Sequence, residues 1–162
     1  MLSEHRLRES ADSFHRVATE QWRETGTAST TLVYLPEHDE PTLVVLTGNQ
    51  PPTARHLAAR ARTIGAHALI LTGEGWAAPL PTKKALDLPA QDRPRPSEQP
   101  ERYPVIVTVA VRADGLTLLR ETRLATGVFG RTLTPRTLAD PGPREHGLAA
   151  LLREALTLAH RH

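Results

Sequence analysis

Hydrophobic residues recur along the chain at two spacings, which predict helices and strands. Residues 3–25 carry apolar side chains at intervals of three and four, which predicts an amphipathic helix that begins near Ser3 and ends at Gly26. Segments 31–35 and 42–47 are β-branched and apolar and are joined by a turn, which predicts an antiparallel hairpin. The second segment is apolar without alternation, so we expect a central strand that is buried on both faces.

The middle of the chain predicts a strand–helix–strand unit. A helix is expected over 51–64, capped by Asn49 or Gln50, and a strand is expected over 66–72. Because the strand 42–47 precedes this helix, the order predicts a βαβ unit. Its two strands should lie side by side and parallel, joined by a right-handed crossover.

Proline marks the next segment, because half of the 14 prolines of the chain fall within residues 77–104. Proline lacks a backbone N–H group and disrupts regular structure. We therefore expect 77–104 to be a loop insertion within a single domain spanning 1–162. The rest of the chain predicts a hairpin over 105–124, an irregular Gly- and Pro-rich segment over 126–143 and a final helix over 145–161.

The order of elements is therefore α-β-β-α-β-loop-β-β-α. This order predicts an α/β (α+β) fold with a single mixed β-sheet of about five strands, one βαβ unit and helices packed on the sheet. The C-terminal helix has a wide apolar face, which favours burial against the sheet. A homo-oligomer contact through this helix is the alternative.

Composition excludes several kinds of chemistry. The chain has no Cys, which excludes a disulfide scaffold, Cys-ligated zinc and thiol nucleophiles. The eight His residues show no metal-binding spacing, so we expect neither a metal nor a cofactor. The formal net charge of +2 is too small to argue for nucleic-acid binding by itself. The N-terminal residues are charged and no apolar run could span a bilayer, so we expect a cytoplasmic protein that does not engage a membrane.

The carboxyl edge of the expected βαβ unit is the predicted ligand site, because ligands of such units bind where the parallel strands end. Asn49 and Thr53 lie between the first strand and the helix N-terminus, where free N–H groups favour an anion. Glu74 follows the second strand between Gly73 and Gly75, and Trp76 comes next, so both side chains are expected to project. The alternative is structural: Trp76 covers the sheet end and Glu74 pairs with an arginine such as Arg102.

The segments Glu74-Gly-Trp76 and Pro96-Ser-Glu-Gln-Pro-Glu-Arg102 resemble those of a group of uncharacterised proteins from actinobacteria and their phages and plasmids. In that group a Glu-small-Trp element ends a strand, and a Pro-Ser-x-x-Pro-x-Arg segment precedes the next strand. The resemblance implies a shared α/β fold, an origin in a phage or mobile element and a shared sheet edge, and it implies no named activity. It adds Arg102 to the predicted ligand site.

Two functions follow from this edge. The leading hypothesis is a small binding or accessory protein whose sheet edge engages a protein partner or a small anionic ligand. The second hypothesis is a hydrolase or nucleotide-processing enzyme that uses Glu74, with Asn49 and Arg102 orienting an anionic substrate.

A third hypothesis rests on the helix expected over 51–64. Arg55, Arg60 and Arg62 share its outer face, and no acidic residue lies between Glu40 and Glu74. Such a face is suited to a phosphate backbone, which predicts nucleic-acid binding. An ordinary solvated face is the alternative.

Overall fold

The structure is a computed structural model that describes residues 1–48, 52–77, 100–136 and 147–161. These residues form one β-sheet with helices packed on both of its faces. The elements in chain order are α1 (Glu4–Thr25), β1 (Thr30–Pro36), β2 (Thr42–Leu46), α2 (Ala54–Ile64), β3 (Ala66–Ala77), β4 (Tyr103–Arg112), β5 (Thr117–Gly127), β6 (Gly130–Arg136) and α3 (Gly147–Ala159).

The strand order is β2-β1-β3-β4-β5-β6, and every hydrogen-bonded pair is antiparallel. The predicted fold class, one sheet with packed helices in this order of elements, is confirmed. The sheet is antiparallel rather than mixed, and it has six strands rather than about five. The sixth strand is Gly130–Arg136, which the sequence predicted to be irregular. Its Pro135 is compatible with an edge strand, where one side of the backbone needs no partner.

β2 and β3 run in the same direction, as expected, but they are not neighbours. β1 lies between them and is antiparallel to both, with Thr31 opposite Val45 on one side and Thr72 on the other. The helix α2 therefore crosses over β1. The prediction that the two strands of the βαβ unit lie side by side was wrong. The β1–β2 hairpin places β2 on one edge of β1, so β3 pairs with the other edge of β1.

The expectation that β2 is a buried central strand was also wrong, because β2 is an edge strand. The side chains of Leu43 and Val45 are 51% and 57% exposed. β1 takes the central place instead. Its residues 32–35 are all buried, and successive side chains point to opposite faces of the sheet.

The two faces of the sheet bury separate hydrophobic clusters. Leu32 and Leu69 face α2 and α3, where they pack with Leu152 of α3. Val33 and Ile70 face α1 on the other side of the sheet. The apolar face of α3 is buried in the first cluster, as predicted. Four of its buried residues belong to the apolar stripe that also suggested an oligomer contact: Leu152, Ala155, Leu156 and Ala159.

Two boundaries differ from the sequence-based prediction. Thr53 caps α2, so the helix begins at Ala54, later than expected. β3 continues to Ala77 because it stays paired with β4 as far as Tyr103. Most of the predicted loop over 77–104 lies outside the described residues. None of the described helices has the length and apolar composition that a membrane span requires.

Candidate functional site

Glu74 lies within β3 rather than in a turn, and its side chain is anchored to the backbone. One carboxylate oxygen accepts a hydrogen bond of 3.0 Å from the N–H of Ala28, which lies between α1 and β1. This is the only polar contact of the Glu74 carboxylate within the described residues. The predicted ion pair with Arg102 is not formed, and Glu74 instead ties the end of α1 to the sheet.

Gly73 allows β1 to lie close to β3 at this point. A Cβ atom at Gly73 would lie 2.9 Å from the Oγ1 of Thr30 and 3.1 Å from its Cα. Glu74 was expected to follow the end of the strand, but β3 continues through Gly73 and stays paired with β4. The role of Gly73 is this close approach of two backbones, which places Ala28 within reach of Glu74.

Trp76 and Arg102, two residues of the predicted ligand site, stack on each other. The guanidinium carbon of Arg102 lies 5.0 Å from the centre of the indole ring, within the range of a cation–π contact. The indole remains 49% exposed. The pair therefore forms an amphipathic patch at the end of β3.

Thr53 lies away from this patch. It caps α2, and its hydroxyl accepts a hydrogen bond of 3.2 Å from the N–H of His56. Because α2 packs on the sheet face opposite to α1, Thr53 and Glu74 belong to different faces. Asn49 lies outside the described residues. Among the predicted ligand residues that the structure describes, Trp76 and Arg102 are in contact, Glu74 lies two residues before Trp76 on the same strand, and Thr53 lies elsewhere.

The turn between β5 and β6 presents two apolar side chains that the sequence analysis missed. The side chains of Val128 and Phe129 are fully exposed to solvent. Their turn lies towards the same end of the sheet as Trp76, because Trp76 pairs with the start of β4, and β5 runs past this point from Arg123 to Gly127. We call Trp76, Arg102, Val128 and Phe129 the sheet-end surface.

The three arginines of α2 have different surroundings. Arg62 donates hydrogen bonds to the carbonyl oxygens of Leu158 and Ala159, at 2.7 and 3.2 Å, and so caps the C-terminus of α3. Arg60 and Arg55 are exposed. The side chain of Arg62 therefore has a structural partner that the sequence did not reveal.

A polar network under α1 was also missed. The Nδ1 atom of His15 lies 2.8 Å from the hydroxyl of Thr108, and its Nε2 atom lies 2.7 Å from the hydroxyl of Thr122. A third hydroxyl, that of Thr72, lies 2.7 Å from Thr108. Burial, followed by the positive charge of Arg120, lowers the pKa of His15 to about 4, so the ring is neutral at pH 7.

One sequence signal could have revealed this network. Thr108 interrupts the otherwise apolar run from Val105 to Val111, at a position that faces inward in a buried strand. A buried hydroxyl requires a hydrogen-bonding partner, and His15 follows the inward-facing Phe14 on α1. The partner itself could not be identified, because the two residues are 93 positions apart.

Beside His15, a groove of about 300 Å³ runs between α1 and the β5–β6 hairpin. Arg16 and Arg23 line it from α1, and Arg120 and Arg136 line it from the strands. Arg16 and Arg23 belong to the polar side of an amphipathic helix, which by sequence alone is typical of a solvated face, and the strand β6 that forms the other wall was not predicted. Within the described residues, no three His, Asp or Glu side chains are placed to hold a metal ion.

The chain matches no protein-family model, no curated protein and no solved structure.

Proposed function

We propose that this chain is a small cytoplasmic binding or accessory protein that engages a protein partner through the sheet-end surface. The observation that carries this proposal is the exposed indole of Trp76 stacked under Arg102. Tryptophan and arginine are the residue types that contribute most strongly at protein–protein interfaces. An indole that is half in water is available to a partner without any rearrangement of the fold.

The tip of the β5–β6 hairpin supports the same proposal. Val128 and Phe129 lie wholly in solvent, where they make no contribution to the core. Such side chains become stabilising when a partner covers them, since each buried aromatic or aliphatic side chain contributes about 1.5–3 kcal/mol. Two apolar patches at one end of the sheet fit a protein surface better than a small polar ligand.

The alternative of a hydrolase or nucleotide-processing enzyme has weaker support. Glu74 accepts a backbone hydrogen bond, which favours a structural role for its carboxylate. In a screen of nucleotides and metabolites, Glu74→Gln should abolish any turnover that depends on this residue. The nucleic-acid alternative retains Arg55 and Arg60, while Arg62 caps α3. Duplex DNA binding that weakens with salt and with loss of Arg55 and Arg60 would support it.

The partner proposal is tested by capture from native cells with the full chain as bait. Phe129→Ser is the main variant, because a fully exposed side chain can be changed without loss of stability. Trp76→Ala is the second variant, and Val17→Ser, at a 58% exposed site on α1, is the matched control. A partner retained by the control and lost with both variants supports the proposal. An identical set of captured proteins from all four baits would refute it.

A further inference from the structure

The groove between α1 and the β5–β6 hairpin combines a concave shape with an excess of positive charge. Its charged lining consists of four arginines and two carboxylates: Arg16, Arg23, Arg120, Arg136, Asp12 and Glu121. The imidazole of His15 at its floor is neutral at pH 7. The lining therefore carries an excess of two positive charges.

Two of the four arginines are neutralised by the protein itself. Arg120 donates to the carboxylate of Asp12 at 2.7 Å, and Arg136 pairs with Glu121 at 3.2 Å. Arg136 also donates to the hydroxyl of Tyr103. These contacts hold the walls of the groove in place. The excess positive charge of the groove therefore comes from the other two arginines, Arg16 and Arg23.

Arg16 and Arg23 have no such partners. Within the described residues, neither guanidinium makes a hydrogen bond or an ion pair. Both side chains come from one face of α1, with Thr19 between them, and both line the same groove. Seven residues of helix separate their Cα atoms by about 10 Å along the axis. Two long side chains can converge from this separation on one extended anion.

We propose that this groove binds a small molecule that carries a di- or triphosphate chain, held between the guanidinium groups of Arg16 and Arg23. Guanidinium is suited to this ligand because its planar N–H donors match phosphate oxygens in pairs. A groove of about 300 Å³ is at the lower end of the range for small-molecule sites, which fits a compact ligand. A concave surface also concentrates the positive field that attracts an anion.

The floor of the groove is formed by His15, whose charge and contacts are set by the protein itself. Burial is the main cause that lowers the pKa of His15; the positive charge of Arg120 adds to this effect, and Asp12 acts in the opposite direction. The ring nitrogens of His15 already contact Thr108 and Thr122, so the floor is a fixed polar surface. We therefore assign the ligand contacts to the arginines on the wall.

The experiment is a calorimetric titration of the full chain with tripolyphosphate at low ionic strength, with orthophosphate as a shorter anion. The test variant is Arg16→Gln/Arg23→Gln. The matched control is Arg55→Gln/Arg60→Gln, which removes the same charge from α2 on the opposite side of the sheet. Because the guanidinium groups of Arg16 and Arg23 make no hydrogen bond or ion pair within the described residues, the test variant should unfold at the temperature of the unmodified chain.

We expect tripolyphosphate to bind more tightly than orthophosphate, and the test variant to lose roughly tenfold or more in affinity. The control should stay within about twofold, an effect of net charge alone. Equal losses in both variants, or no binding to the unmodified chain, would overturn the proposal. Tighter binding of a single-stranded oligonucleotide than of tripolyphosphate would also overturn it, in favour of a nucleic-acid groove.

Discussion

The imidazole of His15 lies 2.8 Å from the hydroxyl of Thr108, although 93 residues of sequence separate them. This contact joins α1 to the centre of the sheet, and it places a titratable ring under a helix. The ring is held in its neutral form, because both burial and the Arg120 guanidinium disfavour a positive charge there.

His15 should make the stability of the fold depend on pH. Its pKa lies near 6.5 in the unfolded chain and at about 4 in the folded one. Between these values the unfolded chain binds more protons, so the contribution of His15 is complete above pH 6.5 and is lost as the pH falls towards 4. In urea unfolding, the free energy of unfolding of His15→Gln should fall less steeply over this pH range than that of the unmodified chain. Val17→Ser, at an exposed site on the same helix that carries no titratable group, should show the pH dependence of the unmodified chain. Parallel pH profiles for all three proteins would contradict the prediction.

Thr108→Val should destabilise the fold. The hydroxyl is fully buried and contacts both His15 and Thr72, so its loss leaves polar atoms without partners. Each such loss costs about 1–3 kcal/mol. Thr132→Val on the exposed side of β6 is the control and should change the free energy of unfolding little. Chemical denaturation measures both variants, and equal midpoints would exclude a stabilising role for the network.

Gly73→Ala and Gly75→Ala should differ although only one residue separates them. A methyl group at Gly73 would lie 2.9 Å from the Oγ1 of Thr30, whereas one at Gly75 would meet only Val107, at 3.5 Å. We expect a cost of about 1–3 kcal/mol at Gly73, because overpacking forces two strands apart. At Gly75 the change should be neutral or slightly stabilising, since glycine is unfavourable inside a strand. Thermal unfolding distinguishes the two, and similar melting temperatures would contradict the close approach of β1 and β3.

Arg62→Ala should lower the stability of the fold by about 1 kcal/mol. Its guanidinium donates to the last carbonyl groups of α3, where a positive charge is also favourable to the helix dipole. Arg55→Ala, at an exposed site on the same helix, is the control. The comparison by urea unfolding separates a capping role from a general effect of charge. If the two variants unfold at the same urea concentration, the cap contributes nothing measurable.

Local patterns identified most of the secondary structure, because hydrophobic spacing reflects which side of a helix or strand is buried. The stripe that includes Leu7 and Trp22 predicted α1 and its buried face. Apolar segments joined by short turns predicted the β1–β2 and β4–β5 hairpins. β6 was missed because Gly130 and Pro135 are typical of irregular chain, and only pairing with β5 makes the segment a strand.

The composition of each candidate site depends on which helices and strands are neighbours in the fold. Patterns over a few residues of sequence do not specify these neighbours. Arg102, which the resemblance added to the predicted ligand site, was expected beside Glu74, and it stacks on Trp76 instead. The sequence also grouped Thr53 with Glu74, which the structure places on opposite faces of the sheet. The groove of Arg16 and Arg23 requires β6 at its edge, so it could not be predicted without that strand.

By itself, the sequence determined the helices, most of the strands and the faces that they bury, because these features follow from interactions between residues a few positions apart. The tertiary structure decided the strand order, the neutral state of His15 and the position of every candidate site. Each of these depends on contacts between distant segments, such as β1 entering between β2 and β3. Those contacts form through the edges and faces that remain free once local structure exists, and spacing along the chain does not specify which of them will pair.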